Sequence, residues 1–82
     1  MDLVLLTETI VKKIVSDPDS VSVKEFETEE ENTILIEVMI SNEDLGRVIG
    51  KEGRIINAIR TLVQASSYIN DNKKVKINVD SY

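Results

Sequence analysis

Two glycines three positions apart, Gly50 and Gly53, enclose Lys51 and Glu52, and Arg54 follows at once. Residues of these types at this spacing can bind an anion. Glycine has no Cβ and tolerates φ > 0, so a turn flanked by two of them brings bare backbone up to a ligand. The apolar pair Val48-Ile49 leads into the turn, and Ile55, Ile56, Ile59, Leu62 and Val63 follow it at helical spacing. A helix therefore starts beside the ligand, and its orphan N–H groups favour negative charge. Lys51 and Arg54 add mobile positive charge at the same place. The chemistry is that of a clamp for a phosphate backbone.

Other phosphate-binding or catalytic readings fail on the same residues. In Gly46-Arg47-Val48-Ile49-Gly50-Lys51 three residues separate the glycines, where a P-loop needs four, and Glu52 stands where magnesium needs Ser or Thr. There is no G-x-G-x-x-G. The chain has no His and no Cys, which removes the commonest general base, most hydrolytic triads, thiolate zinc sites and any disulfide framework. The acidic run Glu27-Thr28-Glu29-Glu30-Glu31-Asn32 could attract a divalent metal. It lacks a glycine at the EF-hand position and a terminal Glu, and reads as a solvated turn between strands. No cofactor, no metal and no enzymatic activity are expected.

Ile49-Gly50-Lys51-Glu52-Gly53-Arg54, with Ile55, Ile56 and Ile59 behind it, resembles the G-x-x-G segment of KH domains. G-x-x-G alone is weak evidence; the preceding Val-Ile, the Arg after the second Gly and the helix Ile-x-x-Ala-Ile-Arg-x-Leu make it specific. The resemblance implies a loop that clamps about four backbone nucleotides of a single strand, with the bases in an adjacent apolar groove. Carried over position by position, the nucleic-acid-binding set is Arg47, Val48, Ile49, Gly50, Lys51, Glu52, Gly53, Arg54, Ile56 and Asn57. Lys51 and then Arg54 contact phosphate, Arg47 borders the cleft, and Val48, Ile49 and Ile56 floor it while serving the core. Glu52 departs from the basic or neutral polar residue usual there. A carboxylate facing phosphate costs Coulomb energy, softened by solvent, and the sequence leaves its direction open.

The net charge of −5 argues against nucleic acid only until it is divided. Residues 1–45 hold three basic and twelve acidic residues, whereas residues 46–82 hold seven basic and three acidic ones. A local basic stripe is what a phosphate backbone meets; the acidic half should limit affinity and make it salt-sensitive. With one Phe and two Tyr, aromatic stacking worth ~1–3 kcal/mol per base would be mostly absent. Modest affinity, and so a partner or dimerisation, is expected.

Eighty-two residues suggest one domain, 1–82, which buries only about 60% of its unfolded surface. No apolar run reaches the ~18 residues of a membrane span. The start Met1-Asp2 has neither the basic segment nor the cleavage site of a signal peptide. A cytoplasmic location is expected.

The positioning elements follow from periodicity. Leu3, Leu6, Ile10 and Ile14, widened by Val4, Val11 and Val15, predict a helix over 3–15, stopped at Asp17-Pro18-Asp19. Lys12 and Lys13 suit its C-terminal end. Val21, Val23 and Phe26 predict a half-buried strand over 20–27, where Phe26 breaks the period and suggests a bulge or a shift of face. Thr33–Ile40 is nearly all apolar and predicts a central strand, with an antiparallel hairpin to the first. Ser41 and Asn42 offer N-caps for a short helix over about 42–48, with Glu43 and Asp44 in its first turn. A helix over 53–68 carries a broad apolar face, on which Arg54 and Arg60 do not share one line. Asn70-Asp71-Asn72 ends it, and Val75, Ile77 and Val79 alternate with polar residues in a last strand.

The element order, α-β-β-α-α-β, is that of the second KH topology. By that resemblance the fold is α+β, a three-stranded mixed sheet with three helices packed on one face. The last strand is expected parallel to the central one, reached by a right-handed crossover. The small bacterial proteins made of one KH domain then imply the function: a non-enzymatic, single-stranded RNA-binding protein, a post-transcriptional regulator or RNA chaperone, pairing with itself or with a larger KH-containing protein. The alternative is a KH-fold interaction or dimerisation subunit with weak or no RNA binding of its own.

Overall fold

The computed structural model describes residues 2–82. Helix α1 spans Leu3–Ile14, and Asp2 caps it by accepting the Leu5 N–H at 3.1 Å. Its buried line, Leu3, Thr7 and Val11, follows the four-residue helical repeat. Thr7 spends its hydroxyl on the Leu3 carbonyl at 2.8 Å, which lets a polar residue sit in the core. Lys12 pairs with Glu8 one turn back at 2.8 Å. Pro18 opens a 3-10 turn, Pro18–Ser20, that redirects the chain into the sheet.

Strand β1, Ser22–Glu27, pairs antiparallel with β2, Thr33–Ile40, from Ser22↔Met39 to Glu27↔Ile34. Strand β3, Lys74–Ser81, lies parallel to β2, from Thr33↔Lys74 to Ile40↔Ser81. The order is β1-β2-β3, and the link between the parallel pair carries α2, Leu45–Ile49, and α3, Arg54–Asn70. All three helices cover one sheet face. Ile34, Ile36, Val38 and Ile40 point into it and are buried, whereas Leu35, Glu37 and Met39 on the other face are half-buried. The core joins these strand residues to Val11, Val48, Ile56, Ile59, Val63 and Ile77.

Two details differ from the periodicity reading. No bulge interrupts β1: Phe26 pairs in register with Leu35 and faces the open side of the sheet, exposed. The apolar face of α3 also divides. Ile56, Ile59, Val63 and Ser67 are buried, whereas Ile55 and Leu62 are exposed.

Candidate nucleic-acid interface

The turn sits between α2 and α3 as a 3-10 segment, Lys51–Gly53. Helix α2 stops where the Gly50 N–H donates to the Gly46 carbonyl at 2.8 Å, and Gly50 then takes φ 77°. That angle is strained for any residue with a Cβ. A Cβ at Gly50 would also fall 2.6 Å from Ile55 Cγ1. Gly50 is therefore demanded twice, by its dihedral and by the packing of Ile55. Gly53 has φ 74°, but a Cβ there would make only ordinary contacts, 3.7 Å to Asn57 Nδ2 and 3.9 Å to Ile56 Cγ2. Between them Glu52 is also left-handed, φ 57° and ψ 25°.

The turn closes on itself through the Gly53 N–H to the Gly50 carbonyl at 3.2 Å and the Arg54 N–H to the Lys51 carbonyl. Among the described residues, neither the Lys51 nor the Glu52 N–H has a backbone partner outside the turn. Lys51 and Glu52 are exposed, and the two glycines are partly so. Lys51 takes part in none of the ion pairs among the described residues. Glu52 lies 3.6 Å from the Arg54 guanidinium, both of them well exposed. The carboxylate that departs from the motif thus lies beside the arginine of the same turn, in solvent, where such a pair is worth little.

The other candidate residues separate. Val48 and Ile56 are buried in the core, and Ile49 is half-buried against it. Of the apolar residues around the turn, Ile49 and the exposed Ile55 offer accessible surface. Asn57 is exposed and accepts from Arg60 Nη1 at 3.1 Å. Arg60 turns its Nε and Nη2 to the Ile77 carbonyl at 3.3 and 3.0 Å, so it serves the β3 edge. Arg47 lies 3.7 Å from Asp44.

Asp44 is the residue that sequence reasoning missed. It is fully buried. Its Oδ1 accepts the Ser16 N–H and the Ser16 hydroxyl, each at 2.8 Å; its Oδ2 accepts the Asp17 N–H at 3.1 Å and the Ser41 hydroxyl at 2.9 Å. The Ser16 N–H above all, with the two hydroxyls and the Asp17 N–H, outweighs desolvation and holds the carboxyl down to about 2 from 3.8. The Ser41-x-x-Asp44 spacing hints at a capping role. Ser41, however, bonds the Asp44 side chain and makes no side-chain cap bond. Asp44 fastens the arm bearing the turn to the segment after α1.

A concavity lies elsewhere, a groove of about 460 Å³ between the C-terminal half of α3 and the start of β3. In the β1–β2 loop Glu30 meets Lys76 Nζ at 2.6 Å, and that bond lowers the Glu30 pKa. No group of three or more metal-ligating side chains is assembled among the described residues, and none of their helices is long and apolar enough to cross a membrane.

The α-β-β-α-α-β order, the mixed sheet and the glycine-flanked turn between two helices define a KH-type domain. Residues 5–80 match the model of the family described as KhpA/KhpB, KH domain. The chain belongs to that family. It is 47% identical over 74 residues to the RNA-binding protein KhpA of Clostridium perfringens, covering 90% of this chain and 95% of the relative. Against the protein of the same name in Listeria monocytogenes it is 44% identical over 71 residues, covering 87% and 90%. Among solved structures it superposes on Era of Aquifex aeolicus bound to GDP and aluminium fluoride, with a TM-score of 0.61 at 22% identity. That match covers 99% of this chain but 31% of Era, a likeness of fold alone.

Proposed function

We propose that this chain is a non-enzymatic RNA-binding protein whose residues 1–82 act as one KH module. The Gly50-Lys51-Glu52-Gly53 turn clamps the sugar-phosphate backbone of single-stranded RNA, and the bases lie against the adjoining helix surface. The observation that carries the reading is the turn itself. It is exposed, its bare backbone is enforced by two positive-φ glycines, and its lysine has no carboxylate partner among the described residues. It stands in a chain whose relatives at 43–47% identity are named RNA-binding proteins. Lys51 and Arg54 meet phosphate, while Arg47, Ile49 and Asn57 border the strand. Val48 and Ile56 act from beneath by holding the two helices. The reading extends to a cytoplasmic role as post-transcriptional regulator or RNA chaperone, which the resemblance to small single-KH proteins implies. The test is a titration with short single-stranded RNA, repeated with Lys51→Asp and Arg54→Asp. Binding unchanged by both removes the turn from the mechanism.

A specific observation favours pairing as well. Ile55, Ala58, Leu62 and Ile69 recur at spacings of three, four and seven along α3, and all four are exposed. This is the a/d pattern of a helix that packs on another helix. We infer that the stripe seats a second KH chain, a copy of this one or a larger KH-containing protein. Sedimentation of the wild type and of Leu62→Asp tests it.

A further inference from the structure

We propose that an RNA strand held at the Gly50–Gly53 turn continues along α3 and stacks one further base on Tyr68. This rests on the RNA-binding reading above and extends it to a second contact. The receiving site is the groove of about 460 Å³ walled by Arg60, Thr61, Gln64, Ala65, Tyr68 and Val75. None of the six is acidic. Tyr68 is 57% exposed, and its hydroxyl has no partner among the described residues. An open aromatic beside cationic surface is how single strands are held without sequence readout.

Helix α3 links the groove to the turn. Gly53, Asn57, Arg60, Gln64 and Tyr68 follow one another at three- and four-residue steps, so they line one side of α3. From Gly53 to Tyr68 that line runs roughly 22 Å at the helical rise. Asn57 lies beside Gly53, and Arg60 reaches back to Asn57 at 3.1 Å. Polar donors thus lead from the glycine turn to the tyrosine, and Lys73 and Lys74 stand exposed beyond the helix end.

The groove is also built in advance. Gln64 gives its Nε2 to the Lys73 carbonyl and takes the Val75 N–H on its Oε1, both at 2.9 Å. Arg60 is fixed on the Ile77 carbonyl. These bonds cap the outer edge of β3 and hold the walls still, so a base entering would pay little to order them. A protein side chain could fill an apolar groove too. Lys73 and Lys74 stand near Glu30 of the β1–β2 loop, so it is the line of polar residues from the turn, with Arg60 in the groove wall, that favours a nucleic-acid strand.

The experiment uses the full chain with oligoadenylates of four and eight nucleotides, since the turn alone takes about four. Affinity is read by anisotropy of a labelled oligonucleotide. Tyr68 is read by its own fluorescence in a Tyr82→Phe background. Tyr68→Ala should weaken the eight-nucleotide RNA about tenfold and leave the four-nucleotide RNA unchanged. Tyr68→Phe should restore the longer RNA, and the longer RNA alone should quench Tyr68. Equal affinity of Tyr68→Ala and wild type for eight nucleotides overturns the proposal. So does a Tyr68→Ala chain that loses self-association in sedimentation, which would assign the ring to a protein contact. Lys51→Asp separates the two readings. If it abolishes binding of both RNAs while Tyr68→Ala does nothing, the turn stands and only the extension falls; if it changes neither, the turn reading itself has failed.

Discussion

The Asp44 carboxylate holds Ser16 by both its N–H and its hydroxyl, each at 2.8 Å, across 28 positions of chain. This contact decides where the glycine turn stands. Helix α2 is only five residues long, too short to be stable by itself. Val48 packs it to the core on one side, and Asp44 ties its start to the loop after α1 on the other. A phosphate clamp depends on backbone held in place before the ligand arrives. In the proposed clamp Asp44 would act through the position of the turn.

Acid should release the tie. The folded pKa of Asp44, about 2, lies below its ordinary 3.8. Its contribution is therefore complete above the unfolded value and is lost as pH falls from about 4 towards 2. Glu30, lowered by its bond to Lys76, adds a smaller loss of the same sign because that pair is half-exposed. Circular dichroism across this range should show wild-type stability falling. In Asp44→Asn the Asp44 part of that fall should vanish. At neutral pH the variant should melt roughly 10 °C lower, the shift expected when about two bonds to a buried charge go in a domain of this size.

The two glycines should fail unequally. Gly53→Ala incurs only the left-handed dihedral, about 1–2 kcal/mol. Gly50→Ala must hold a side chain at φ 77° and ψ 174°, a region essentially reserved for glycine, and also drives a Cβ into Ile55, which adds about 1–3 kcal/mol of overpacking. Urea denaturation should rank wild type, Gly53→Ala, Gly50→Ala in falling stability. Trimming the neighbour's Cγ1 and Cδ1, as in Gly50→Ala/Ile55→Ala, should recover part of the difference. Equal losses at the two positions would mean that Ile55 does not press on the turn.

Much of this was legible because it is local. Thr33–Ile40 reads as a strand whatever else the chain contains, and Gly50 to Gly53 announces itself by residue type. What escaped depends on distant partners. Asp44 looks like a first-turn carboxylate until Ser16 and Asp17 are brought against it. Arg60 looks like a free cation until the Ile77 carbonyl of β3 lies beside it. Phe26 breaks the alternation of Val21 and Val23 and leaves a bulge or a shift of face open, and only the regular pairing with Leu35 shows that it turns to the uncovered face. On α3 periodicity registers one broad apolar face. Only the arrangement of the sheet and α1 divides it into a buried line and an exposed one.

Glu52 should weaken RNA binding. Its exposed carboxylate lies 3.6 Å from Arg54 and competes there with phosphate for the guanidinium. Glu52→Lys removes that competition and adds a cation to the turn. Each further phosphate neutralised on a single strand steepens the dependence of log affinity on log salt by about 0.7. The variant should therefore bind more tightly at low salt, with a slope steeper by about that amount. Glu52→Asn should bind with an intermediate affinity and, because Asn tolerates the left-handed region better, should be no less stable than wild type.

The exposed stripe on α3 predicts a concentration-dependent dimer. In a two-fold pair Leu62 is buried from both sides of the interface at once. Covering one leucine is worth ~1.5–3 kcal/mol, so Leu62→Asp removes about twice that and buries two carboxylates as well. Association should weaken at least a hundredfold. Leu62 is 57% exposed, so the isolated chain should keep its stability to within about 0.5 kcal/mol. Ala58 sets the approach of the two helices, and Ala58→Glu should act in the same direction as Leu62→Asp by adding bulk and charge where backbones come close. Sedimentation velocity across a concentration series checks all three chains. A wild type that stays monomeric at high micromolar concentration would leave the stripe to a different KH chain, and the same Leu62→Asp substitution would then be read in a pull-down with that chain.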